Sequence, residues 1–147
     1  MPVENRKRAM RALWQVGLMD KDEVGRTGEN LAAELVAGLG YQILNRNWRT
    51  AVGQRRSGER RNQGELDLVA LDGHTLVGIE VKTRSTMAYG HPAEAFTPQK
   101  VARLKRLLGQ WLAEHRDNRP HFTEIRLDAI AILLNPAPQI THFKGIS

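Results

Sequence analysis

Four charged side chains interrupt what is otherwise an apolar strand pattern: Glu65, Asp67, Glu80 and Lys82, in the stretch GELDLVALDGHTLVGIEVKTR from Gly64 to Arg84. Charges inside strands are costly unless they face water, pair with one another or hold a metal. The stretch reads as a β-hairpin, with alternating apolar runs at about 65–71 and 75–82 flanking Asp72-Gly73, a strong turn dipeptide. A two-residue turn there sets Glu65 across from Glu80 and Asp67 across from Gly78. All four charges then share one face, while Leu66, Leu68, Ala70, Val77, Ile79 and Val81 make an apolar set on the other. A four-residue loop keeps the shared face and sets Asp67 directly opposite Glu80. A regular three-residue loop separates these two and destroys the cluster.

Carboxylates on adjacent strands repel one another unless they are protonated or bridged by a cation. Oxygen-only ligands select hard ions, Mg²⁺ or Mn²⁺ rather than Zn²⁺, and such an ion serves phosphodiester hydrolysis. Lys82 points to the same side as Glu80, where it can orient an attacking water or neutralise developing charge. The rival reading is an ordinary salt-bridged, solvent-facing strand pair, since Glu-x-Lys is a common tripeptide.

The elements that must position these groups follow from periodicity. Residues 6–19 have helical spacing in Met10, Leu13, Trp14 and Leu18, and residues 20–25 read as a polar hinge. A helix over about Arg26 to Gly38 carries Leu31, Leu35 and Val36, with Gly40 as its stop. A strand over Tyr41–Trp48 has Tyr41, Ile43 and the aliphatic part of Asn45 on one face. After the hairpin and a loop over 83–96, Thr97-Pro98 caps a helix that ends near His115, with Leu104, Leu107, Leu108 and Trp111 as its core stripe. Glu124–Leu134 is apolar enough for a central strand, and QITHFKG adds a short edge strand. The long helix is a crossover, so the strands it joins should be parallel in a mixed sheet. The chain divides into an amphipathic helical extension, 1–24, and one α/β domain, 25–147.

The chain of 147 residues carries a net charge of +6, which favours polyanions such as nucleic acid. No run of about 18 apolar residues is present to span a membrane. With no cysteine there is no disulfide or thiolate site, and no secretory signal precedes the domain, which suits a cytoplasmic protein. Residues 49–63 hold Arg49, Arg55, Arg56, Arg60 and Arg61, and read either as a DNA-contacting loop or as a solvated insertion. Arg84, His91 and Lys100 flank the hairpin's end and are further candidates for phosphate contacts. For His91 the competing role is to structure its loop, and for Lys100 it is simple solvation.

Asp67 followed by Glu80-Val81-Lys82 on the next strand resembles the D…ExK core of the PD-(D/E)xK nuclease superfamily. GENLAAELVAGLGYQILNRNWR, GELDLVALDG, LVGIEVKTR, YGHPAEAFTPQK and RLDAIAI, in unbroken order over about 25–133, are similar to the bacterial YraN family of Holliday-junction-resolvase-like proteins. The resemblance implies a restriction-endonuclease-like mixed β-sheet flanked by helices, with an αβββαβ core. It implies Asp67 and Glu80 as metal ligands, Lys82 as the catalytic lysine and the Val81 carbonyl as a further ligand. Glu29 matches the helix glutamate of resolvase-like members, with Glu34 as fallback, and Glu65 belongs to the family's GE(I/L)D motif as a supporting group or alternative ligand. Leu66 replaces the proline of "PD", Gly78 replaces a large apolar residue, and the Arg-rich stretch is longer than usual. The function so implied is an Mg²⁺- or Mn²⁺-dependent DNA endonuclease acting on branched or structured DNA, as a homodimer if it resolves junctions. The alternative is a non-catalytic nucleic-acid-binding module or adaptor that keeps the fold.

Overall fold

Helix α1, Lys21–Gly38, begins where a polar hinge was expected. Asp20 caps it, accepting a hydrogen bond from the Glu23 N–H at 2.8 Å, and Asp22 and Glu23 in the first turn suit the positive end of the helix dipole. Asp20-x-x-Glu23 is a capping-box spacing, which is why this polar segment is helical. At the other end Gly40, at φ +92°, closes a Schellman motif: its N–H donates to the Ala37 carbonyl at 3.0 Å and the Tyr41 N–H to Val36 at 2.9 Å.

The computed structural model describes residues 19–50 and 64–146. The amphipathic helix expected over 6–19, Met19 excepted, and Arg55, Arg56, Arg60 and Arg61 lie outside the described residues. After α1 come β1 (Gln42–Trp48), β2 (Leu66–Asp72), β3 (Thr75–Arg84), two short 3₁₀ turns at Met87–Tyr89 and Pro92–Ala95, α2 (Pro98–Glu114), β4 (Glu124–Leu133) and β5 (Gln139–Lys144). The sheet order follows the chain, β1-β2-β3-β4-β5. Among the described strands only the β3–β4 pair is parallel, because α2 crosses over between them. This mixed sheet with a helix on each face is the restriction-endonuclease-like architecture.

Two apolar layers hold it. Ala32 and Val36 of α1 pack with Leu68, Ala70, Val77, Ile79, Ile130 and Ile132. Leu104, Leu107, Leu108 and Trp111 of α2 pack on the other face with Val69, Leu71, Leu76 and Leu127. Gly78 is the departure that lets α2 lie close: a Cβ there would come within 3.3 Å of Leu108.

Three details differ from expectation. The hairpin turns on Gly73-His74, not Asp72-Gly73, because Gly73 takes the positive φ (61°) required at the first central position of a II′-like turn. The loop is still even in length, and continuing the Leu68↔Ile79 register by one residue sets Asp67 opposite Glu80. In β1 a bulge between Ile43 and Asn45 breaks the alternation. Ile43 packs on the α1 layer, but Asn45 turns to α2 and accepts the Trp111 indole N–H at 2.8 Å. Lastly, Leu66 lies in the α2 layer and Leu68 in the α1 layer, so the expected one-faced apolar set breaks at Asp67.

Candidate metal centre

The break at Asp67 builds the site. The β2–β3 ladder stops at Leu68↔Ile79, and the Asp67 carboxylate takes the next donor on that side of β3, the Val81 N–H, at 2.7 Å. Asp67 is thereby held where the two strands part, only 8% exposed. Glu29 arrives from α1. Its neighbour Gly28 makes the approach possible, since a Cβ at Gly28 would overlap Thr83 Oγ1 on β3. Glu65 arrives from the residue just before β2. One carboxylate oxygen from each of Glu29, Glu65 and Asp67 lies within 4.8 Å of the other two.

Glu80 approaches from the α2 side, two residues along β3 from Gly78. The charges were expected on one flat face. Asp67 instead turns to the Val81 N–H where the β2–β3 ladder ends, and α1 supplies a further carboxylate.

The electrostatics register the crowding. Burial, then the Glu80 charge, pushes the Asp67 carboxyl up to about 8, against the Val81 N–H, which favours the ionised form. Burial also raises Glu80, opposed by Lys100, Arg103 and Lys82. Glu29 is raised by burial and by Glu65. Lys82, half-buried, is lowered by burial and by the neighbouring charges of Arg84 and Lys100. Carboxylates that resist ionisation together are relieved by a cation. The donors are all oxygen, so the acidic triad fits a hard divalent ion.

The remaining predicted residues divide. Lys100, at the start of α2, acts on both Glu80 and Lys82 and so stands beside the site. Arg84 ends β3, half-buried, with its Nε lacking a hydrogen-bond partner among the described residues. Arg49 is engaged by Glu65 at 2.9 Å, an exposed pair of little energetic weight. His91 accepts the Ala93 N–H on Nδ1 at 3.0 Å and caps the second 3₁₀ turn, the loop-structuring role. Val81 reaches the group through its N–H. Glu34, the fallback for Glu29, is exposed on α1. Arg103, whose charge also reaches Glu80, was not among the residues singled out from the sequence. Its spacing of three from Lys100 was the available signal.

Among the described residues no helix is long and apolar enough to cross a membrane. A family model described as uncharacterised protein family UPF0102 matches residues 28–132, a span that takes in Glu29, Glu65, Asp67, Glu80 and Lys82. A UPF0102 protein of Beutenbergia cavernae is 44% identical over 128 residues, covering 86% of this chain and 97% of its own length. One from Mycolicibacterium vanbaalenii is 40% identical over 133 residues, covering 89% and 98% respectively. A third, from Acidothermus cellulolyticus, is 42% identical over 134 residues, covering 85% and 93%.

Proposed function

The chain belongs to the UPF0102 (YraN) family, and we propose that it is a divalent-metal-dependent nuclease that hydrolyses phosphodiesters in DNA, with branched or otherwise structured DNA as its substrate class. The observation that carries this reading is the convergence of Glu29, Glu65 and Asp67 oxygens within 4.8 Å at a buried aspartate whose strand neighbours are Glu80 and Lys82. A solvated strand pair would need neither the burial of Asp67 nor a carboxylate delivered from another element.

Asp67 and Glu80, with Glu29 or Glu65 and the Val81 carbonyl, would hold Mg²⁺ or Mn²⁺. When bound, the ion supplies positive charge against the charge that develops on the phosphate. Lys82 contributes from the chain itself. Its lowered pKa lets Nζ give up and regain a proton more readily than an ordinary lysine, and as ammonium it donates to oxygens that gain charge as the P–O bond breaks. Glu80 holds Lys82 in place by charge. Arg84 and Lys100 add positive potential for a polyanion.

The test is cleavage of linear, flapped and four-way DNAs in Mg²⁺ or Mn²⁺. Activity that Asp67→Ala and Lys82→Ala each abolish supports the assignment. Variants that cut as well as wild type would sink it. Salt-dependent DNA binding without cleavage of any substrate would place the chain among non-catalytic binding modules.

A further inference from the structure

Helix α2 directs two cations, not one, toward the carboxylates. Lys100 and Arg103 are three residues apart and share a face of the helix. The Arg103 guanidinium lies over Gly64, where a Cβ would overlap its Nη2, Nε and Cζ atoms. Gly64 sits at φ +78°, in the left-handed region, so position 64 suits glycine by its backbone. Gly64 is bonded to Glu65, one of the three converging carboxylates. The guanidinium therefore stands at the entrance to β2, beside the site, and its charge reaches Glu80.

Despite this position, Arg103 makes no hydrogen bond or ion pair among the described residues. A half-buried guanidinium carries five N–H donors in a fixed planar fork, the shape that matches two phosphate oxygens. With the carboxylates committed to a cation, the acceptor that fits beside them is the substrate's own phosphate.

We infer that Arg103 is a phosphate-binding residue of this site, gripping the nucleic-acid backbone next to the converging carboxylates, with Lys100 one turn earlier as the second cation of the grip. The inference rests on the nucleic-acid reading above and adds the residue and the group it recognises. The competing role is purely internal, with Arg103 serving only to offset the charge of Glu80.

DNA binding in Ca²⁺, scored apart from cleavage, separates the two. Arg103→Gln should weaken affinity about tenfold and lower the slope of log affinity against log salt by about 1. Arg103→Lys, which keeps the charge and loses the fork, should fall between Arg103→Gln and wild type. In a series of DNAs with single neutral methylphosphonates, one position should weaken wild type and leave Arg103→Gln no worse. Thermal melts check that both variants are folded. If both bind like wild type with an unchanged salt slope, the inference is overturned and the nuclease reading stands. If wild type binds no DNA at low salt, both fall.

Discussion

Asp67 is the residue on which the site turns, and its ionisation gives a measurable signature. Burial and Glu80 raise its folded pKa to about 8 from the ordinary 3.8, so the folded state keeps a proton that the unfolded chain has released. Stability of the metal-free protein should therefore fall as pH rises from near 4 toward 8 and level off beyond. Asp67→Asn should remove that slope and raise the melting temperature of the metal-free protein at neutral pH by several degrees. Divalent ion should raise the melting temperature of wild type and not of the variant. A melting series against pH, with and without Mn²⁺, reads both. An unchanged slope in Asp67→Asn would mean that the crowding of carboxylates does not burden the fold.

At the scale of elements, the site depends on how closely α1 lies on β3 and α2 on β1. Gly28→Ala overlaps Thr83, so α1 must back away and carry Glu29 with it. Overpacking of this kind costs about 1–3 kcal/mol, and calorimetric Mn²⁺ affinity should fall with it. Equal Mn²⁺ affinity in a folded Gly28→Ala protein would show that Glu29 is not a ligand. On the other face, Trp111 is fully buried and its indole N–H satisfies Asn45 at 2.8 Å, across the β1 bulge. Trp111→Phe leaves the Asn45 carbonyl without that donor and should cost about 1–3 kcal/mol in denaturant melts. Helix α2 and most strand limits were legible because the 3.6-residue period is strong in 98–114 and the apolar run of 124–133 suits a central strand. The bulge at 43–45 was not, since a one-residue insertion in a ladder is set by the partner strand and by Trp111.

Across the whole molecule, a polar tie at the hairpin end of β2 balances the carboxylate cluster at its start. Asp128 is fully buried and accepts from Arg126 Nε at 2.8 Å, Arg126 Nη2 at 3.1 Å and the Gly145 N–H at 3.0 Å, with His142 Nε2 at 2.9 Å. Arg126 also reaches Tyr41 at 2.8 Å and Asp72 at 3.0 Å, so one guanidinium links the end of α1, the hairpin and β4. Arg126 and Asp128 are only two residues apart on one strand. The other partners come from chain segments far apart in sequence. Burial alone would raise Asp128, but hydrogen bonds from Arg126, Gly145 and His142 outweigh it and hold the carboxyl below its usual range. A depressed folded pKa contributes stability above the unfolded value and loses it as pH falls through the folded one. Wild type should therefore lose stability below about pH 4. Asp128→Asn should cost on the order of 3 kcal/mol at pH 7 and weaken that acid dependence. Denaturant unfolding at pH 7 and pH 3 measures both, and a variant as stable as wild type at pH 7 would show the tie to be dispensable.

The sequence by itself determined the mixed sheet, the crossover helix, the family resemblance and the identity of the acidic and basic candidates. These depend on local periodicity, turn residues and motif order, all of which are written along one stretch of chain. Only the tertiary structure decided which candidates meet. It brought Glu29 to Glu65 and Asp67 by way of the Gly28–Thr83 contact, set Asp67 between the parting strands on the Val81 N–H, gave Arg49 to Glu65, and laid Arg103 over Gly64. Such meetings are settled by how closely two elements pack and where a ladder ends, and these properties belong to pairs of segments rather than to either one alone.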